Sequence, residues 1–148
     1  KIFSKYFSKK SIDFLFGSVM KNRIYHNFFP EKICYKFNVY PSHSISFFIK
    51  KKSHNLVGKY NIKFKHCADR DYLYRAIVTK RLKGMATKKT EVFGKFDMHG
   101  ISSKLTFMQK NIEEIKIRIN NKQNFFEIFF VFIVFCFYYL FRSVFKRN

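Results

Sequence analysis

The residue types that could support catalysis or metal binding are few in this chain and poorly spaced for either. His66 and Cys67 are adjacent, and neighbouring side chains of a strand point to opposite faces, so the pair cannot easily bind one zinc ion. Glu113 and Glu114 are also adjacent and share no face of a strand or a helix, so they offer no two-carboxylate mechanism. The chain has no glycine-rich phosphate loop, GxSxG or HExxH motif. We therefore expect no enzyme, no metal or cofactor site, and no small-molecule substrate.

The cysteines argue against a disulfide framework. There are three, Cys34, Cys67 and Cys136, which is an odd number, and they are far apart with no CxxC pair. A reducing compartment fits this pattern.

The chemistry that the sequence does offer is that of cations interleaved with aromatic residues. The 148 residues include 30 Lys or Arg and only nine Asp or Glu, for a formal net charge of +21. Up to residue 68 the only acids are Asp13 and Glu31. So many like charges favour a polyanionic partner, and RNA is the most charge-dense partner in a cell. The predicted phosphate contacts are Lys50, Lys51, Lys52, Lys63, Lys65, Arg75, Arg81, Lys88 and Lys89.

Coding bias is the alternative source of this composition. The chain has 22 Phe and no Trp, and it uses Lys, Asn and Ile freely, which is typical of an A+T-rich genome such as that of many organelles. A solvated, bias-driven surface would then carry part of the charge. The shortage of acids favours the polyanion interpretation, because Asp and Glu codons are no more G+C-demanding than many that this chain uses.

Three regions differ in composition. We expect a basic N-terminal extension over 1–44, with a short helix at 12–20, a small basic domain over 45–121 and a hydrophobic tail over 122–148. The basic, acid-free stretch 1–10 suits either an organelle-directing segment or a retained arm that threads into RNA, and we favour the arm.

The central region predicts an α+β fold with one small, mostly antiparallel sheet and one main helix. The helix is expected at 69–83, capped by Asp69 and closed by Gly84. The residues at 53–58 resemble a turn, and 97–100 resemble a hairpin reversal. Strands are expected at 45–51, 59–65, 90–96, 103–109 and 114–120.

Two of these strands rest on alternating residues. In the first, Tyr60, Ile62 and Phe64 would face the core and three lysines would face out, which predicts binding to the RNA backbone without base specificity. In the second, 114–120, the isoleucines also fit a helical stripe through Ile112 and Ile119, and we favour the strand.

The C-terminal tail holds fourteen uninterrupted apolar residues, 128–141. As a helix they would span about 21 Å, short of the roughly 30 Å hydrocarbon core, whereas a helix from Phe125 to Phe145 would be long enough. The run could insert in a membrane, pack on a neighbouring subunit of a large assembly, or join the domain's own core.

These patterns lead to two functional hypotheses. The first is a structural RNA-binding component of an organellar ribosome, most simply mitochondrial, that contacts rRNA and neighbouring protein subunits. The alternative is a single-pass accessory subunit of a respiratory or ATP synthase complex of the mitochondrial inner membrane, anchored through 125–145. The protein would lie in the matrix in the first case and in the inner membrane in the second.

Overall fold

The structure, a computed structural model, describes residues 2–8, 11–26, 44–96 and 105–145. These residues confirm the α+β class, with two three-stranded sheets and several helices. The strands are β1 (Phe14–Phe16), β2 (Ser18–Met20), β3 (Ile24–Tyr25), β4 (Phe47–Ile49), β5 (Gly84–Ala86) and β6 (Val92–Lys95). The helices are α1 (Ile2–Phe7), α2 (Lys51–Val57), α3 (Ala68–Tyr74), α4 (Phe107–Asn120) and α5 (Phe125–Phe145).

Both sheets are mixed, so the expectation of one mostly antiparallel sheet is wrong. The first has the order β4-β1-β5 and the second β3-β2-β6. In each, the central strand is antiparallel to one neighbour and parallel to the other. The reason is that β1 and β2 follow one another along the chain, as do β5 and β6. The parallel pairing of β1 with β5 in the first sheet therefore continues as the parallel pairing of β2 with β6 in the second.

The expected extension 1–44 contains the centre of both sheets. Phe14, Leu15, Phe16 and Val19 are at most 1% exposed. The predicted helix at 12–20 is therefore wrong, and so is the boundary at 44 for the strands β1 to β3. A strand with neighbours on both edges and cover on both faces shows no alternation, which is why the pattern here was not recognisable as a strand.

Helices cover the first sheet on both faces. Phe14 and Phe16 pack against Leu73 of α3, while Leu15 packs on the other face against Tyr6 of α1 and Ile12. The N-terminal basic stretch thus contributes a helix to the core.

The segment 51–65 differs from its prediction throughout. Residues 51–57 form α2 rather than a turn, and β4 is correspondingly shorter than the expected 45–51. Residues 59–65 form turns rather than a strand, and of the three residues expected to face the core only Phe64 is buried. Tyr60 is 48% exposed and Ile62 is 92% exposed. The alternating pattern at 59–65 therefore does not mark a strand; it belongs to an irregular segment in which only Phe64 packs in the core.

The main predicted helix begins at Ala68, and Arg75–Thr79 continue α3 as a π-helical turn. The predicted ends are wrong: Cys67 occupies the N-cap position, and Gly84 pairs with Phe14 in β5. Arg81, at φ 51°, has the left-handed conformation that we expected at Gly84. The predicted apolar side is correct, since its members pack on the core clusters; they are Tyr74, Ile77, Val78 and Leu82.

Residues 105–145 form a helical hairpin. α4 replaces the predicted strand 114–120 and the end of the strand 103–109, and it starts in a capping box between Thr106 and Gln109. Of the predicted hairpin, β6 is present, whereas 97–104 lie outside the described residues. α5 covers the 125–145 range predicted for the tail.

Candidate nucleic-acid interface

The acidic side chains of the described residues are hydrogen-bonded within the protein. All seven are at least partly buried, and each accepts a hydrogen bond from a group of the same chain. Asp71 is the extreme case: it is fully buried and accepts from Arg75 Nε and from Asn121 Nδ2, each at 2.9 Å. The other six are Asp13, Asp69, Glu91, Glu113, Glu114 and Glu127.

The cations have the opposite distribution. Fifteen Lys and Arg side chains are exposed in the part of the chain that the structure describes, and no Asp or Glu is exposed there. Among the described residues, the fully exposed charges are therefore of one sign, which focuses a positive potential on the surface. The fifteen are Lys5, Arg23, Lys51, Lys52, Lys59, Lys63, Lys65, Lys80, Arg81, Lys83, Lys88, Lys89, Lys95, Lys116 and Lys122.

The loop 87–91 presents two of the predicted phosphate contacts, Lys88 and Lys89. The loop connects β5 to β6, and its two ends are hydrogen-bonded to the neighbouring strands β1 and β2. At one end the Thr87 N–H donates to the Phe16 carbonyl at 2.9 Å, and at the other the Ser18 N–H donates to the Glu91 carbonyl at 3.2 Å. A fixed loop that carries exposed ammonium groups is suited to contact phosphates.

Glu91 joins this loop to α1. Its Oε2 accepts from the Tyr6 hydroxyl at 2.6 Å and from the Lys88 N–H at 2.9 Å. The Tyr6 hydrogen bond is the main reason that the pKa of Glu91 lies below its ordinary value of 4.5, and the charges of Lys5 and Lys88 add to the effect. The only acid of the loop is thus directed inward, with cations around it.

Asp13 accepts hydrogen bonds from the segment that carries a second set of predicted phosphate contacts. Its carboxylate accepts from the Ser53 hydroxyl at 2.8 Å and from the Lys83 N–H at 2.9 Å, and its carbonyl accepts from the Lys50 N–H at 2.9 Å. The start of α2, which carries Lys50, Lys51 and Lys52, is therefore beside Lys83. Lys50 is half-buried, with Nζ 5.8 Å from the centre of the Phe7 ring in α1, so α1 borders both sets.

Arg75 differs from the other predicted contacts. Its Nε donates to Asp71, its Nη1 to the Val57 carbonyl, and its Nη2 to the Lys59 carbonyl at 2.8 Å. Its side chain is 19% exposed. All three guanidinium nitrogens therefore bind within the fold, and they tie α3 to the segment after α2.

That segment, 59–65, carries the predicted contacts Lys63 and Lys65, both exposed, as is Arg81 further along the chain. The segment also presents Tyr60, whose ring stacks on that of Tyr72 with centroids 4.6 Å apart and planes at 20°. Tyr72 is 1% exposed, and burial raises its pKa to about 12. The sequence analysis placed Tyr60 in the core because of the alternating pattern, and therefore did not identify it as an exposed residue.

Other exposed cations were missed by the sequence reasoning, which favoured runs of lysine. Arg23 is one of them, and it lies over the Tyr25 ring, 5.4 Å from its centroid, together with the half-buried Lys21 at 5.9 Å. Lys95 ends β6 of the same sheet. Isolated cations beside an aromatic residue were the available signal, and it is a weak one.

The C-terminal helix α5 packs on α4 and leaves much apolar surface exposed. Val131 is buried, whereas eleven large hydrophobic residues within the 125–141 part of α5, where side chains are described, are exposed, among them Phe126, Phe137 and Phe141. An apolar groove of about 520 Å³ lies between the two helices, lined by residues such as Ile112 and Phe135. Among the helices of the described residues, none combines the length and the apolar character needed to cross a membrane.

The titratable residues that the structure describes form no recognisable metal centre. Within the described ranges, no three His, Cys, Asp or Glu side chains are grouped so that they could hold a metal ion. Burial raises the pKa of the Cys67 thiol to about 12, so this cysteine stays protonated and inert.

No protein-family model matches the chain, and neither a curated protein nor a solved structure does.

Proposed function

We propose that this chain is a structural RNA-binding component of an organellar ribosome, most simply the mitochondrial one, and that it contacts the rRNA backbone through exposed Lys and Arg side chains. The observation that carries the proposal is the separation of charges by sign. Every described acid is used inside the fold, and fifteen exposed cations face solvent without an exposed acid among them.

This separation favours a polyanionic partner over a solvated surface. On an ordinary soluble domain both signs are interspersed at the surface, where they screen one another. Here the exposed cations repel one another, and their repulsion is relieved when phosphates approach and the condensed counterions are released. Coding bias can raise the number of lysines, but it does not direct the acids inward.

The geometry suits backbone contacts. The loop 87–91 and the start of α2 are fixed by hydrogen bonds to Glu91 and Asp13, so their lysines project from a defined scaffold. Long flexible ammonium groups on such a scaffold bind phosphates but carry little base specificity. The folded shape of rRNA would supply the register.

The exposed apolar surface of α5 supports a place within a larger assembly. A surface this rich in phenylalanine is costly in water and is relieved by burial against a partner. A neighbouring protein subunit of the ribosome is the partner that we propose for it.

The experiment is a salt titration of binding to a structured rRNA fragment, with two charge-matched pairs of variants. Lys88→Gln combined with Lys89→Gln removes two predicted phosphate contacts, and Lys116→Gln combined with Lys122→Gln removes two equally exposed charges from the α4 end of the molecule. The first pair should lower the slope of log affinity against log salt by about 1.4 to 1.8, and the second should leave it unchanged. A flat salt response of the wild-type protein would refute phosphate binding, and equal losses in the two pairs would refute the assignment to the loop 87–91.

A further inference from the structure

The segment 58–64 holds an aromatic ring on the cationic surface. Tyr60 is 48% exposed although one face of its ring stacks on Tyr72. Because the residue is about half exposed while its ring stacks on Tyr72, part of the ring is open to a planar ligand. Lys59 and Lys63, both exposed, flank the ring along the chain.

The Tyr60 ring stacks on a side chain that is itself buried. Tyr72 is 1% exposed, and its hydroxyl is hydrogen-bonded to His54 Nδ1 at 2.6 Å. Phe47 meets the Tyr72 ring edge-on, with centroids 6.1 Å apart. Tyr72 is therefore held from several sides, and a ring stacked on it is held in place as well.

The backbone on either side of Tyr60 is also fastened. Before it, Arg75 donates to the Val57 and Lys59 carbonyls. After it, Asn61 Oδ1 accepts from the Lys63 N–H at 3.1 Å, and Phe64 is buried in the core. Arg75 thus acts as a positioning residue for Tyr60, which explains why its guanidinium is occupied within the fold.

We propose that Tyr60 is a stacking platform for an unpaired RNA base, with the neighbouring lysines on the adjacent phosphates. This inference rests on the proposed RNA-binding function and extends it from backbone contacts to single-stranded nucleotides. An exposed aromatic ring between cations is the arrangement by which proteins bind single strands without sequence preference, since every base has a flat face. A base inside a duplex could not reach the ring, so the segment 58–64 distinguishes unpaired from paired RNA.

The test compares a short oligoadenylate with an abasic ribose-phosphate chain of the same length and charge. Tyr60→Ala should weaken binding of oligoadenylate by about 5- to 150-fold and leave binding of the abasic chain unchanged. Tyr60→Phe should retain the affinity, because the ring is kept. Tyr138→Ala is the matched control: Tyr138 is similarly exposed, at 53%, and lies 5.1 Å from the Phe107 ring, but on the apolar helix α5. It should bind oligoadenylate like the wild type.

The outcomes separate this inference from the proposed function. If Tyr60→Ala leaves oligoadenylate binding unchanged, or weakens both ligands equally, Tyr60 is not a base platform, and salt-dependent binding of the abasic chain would still support phosphate contacts. If the wild-type protein binds neither ligand, the proposed function fails first. Should Tyr60→Ala not fold, the wild-type protein alone decides: equal affinity for the two ligands would overturn the platform.

Discussion

Asp71 should be the acid whose loss costs this fold the most stability. Its carboxylate is 0% exposed and joins α3 to the end of α4 through hydrogen bonds from Arg75 and Asn121. Asp71→Ala would leave the guanidinium of Arg75, itself only 19% exposed, without its counter-charge, and would remove one acceptor from Asn121.

The expected loss follows from this burial. Removing one partner of a buried ion pair costs about 3 to 5 kcal/mol, because the other charge stays buried without compensation. Small domains are stable by only about 5 to 15 kcal/mol in total, so the loss is a large share of the whole. For a chain of this length it corresponds to a fall in Tm of roughly 6 to 20 °C.

The assay is urea denaturation followed by far-UV circular dichroism, with Asp69→Ala as the matched control. Asp69 lies in the first turn of the same helix and is half-buried, and its carboxylate accepts from the Arg70 N–H at 2.9 Å. Its loss should cost about 1 kcal/mol through the helix dipole. Replacing both members of the buried pair, Asp71→Ala with Arg75→Met, should cost less than the two single losses added together. A variant Asp71→Ala no less stable than Asp69→Ala would refute the argument that the acids are structural.

Two further predictions concern the strands and the loop. Gly17→Ala should destabilise the fold by about 1 to 3 kcal/mol in the same urea assay, because an added Cβ would lie 2.0 Å from Cδ2 of Phe93; Gly17→Ala at wild-type stability would contradict this close approach. Stability measured against pH should fall as the pH drops below 6.5 and fall further below 4.5. Burial lowers the pKa of His26 in the folded protein below its ordinary value of 6.5, and the Tyr6 hydroxyl lowers that of Glu91 below 4.5. The unfolded chain therefore binds more protons than the folded one as the pH falls below each of these values, which favours unfolding. In Tyr6→Phe the lower of the two steps should shrink, and an unchanged step would show that Glu91 does not hold α1.

The parts of the fold that the sequence predicted are those with clear apolar patterns, continuous in the C-terminal tail and one-sided in α3. A C-terminal helix was expected, and α5 has the 125–145 range that was considered for a membrane span, while the apolar side of α3 was found although both its ends were wrong. The ends failed because Gly84 serves as a strand residue, and the left-handed turn falls on Arg81, a residue type that rarely adopts it.

Short elements were lost because their patterns are set by tertiary contacts. The central strands β1 and β2 are only three residues each and are covered on both faces, so no alternation marks them.

The helix α4 did carry a signal, the pair Thr106 and Gln109 three residues apart, but alternating isoleucines outweighed it. The helix α2 begins with lysines and has no side-chain cap, so nothing local announced it.

The candidate site was predictable in its charge and not in its shape. The lysines of the loop 87–91 are exposed, as any run of cations would be. That all the described acids are hydrogen-bonded within the fold could not be foreseen, since several of them bind residues distant in the sequence, such as Tyr6 for Glu91 and Ser53 for Asp13. The exposure of Tyr60 likewise depends on how Arg75 and Phe64 fasten a turn on both sides of it.

The most direct test of the RNA-bound role is to follow the native protein through sedimentation of a cell extract from its source. We predict that it travels with a large RNA-containing particle and that ribonuclease or high salt releases it without detergent. Release by detergent alone, with no effect of either treatment, would contradict the account.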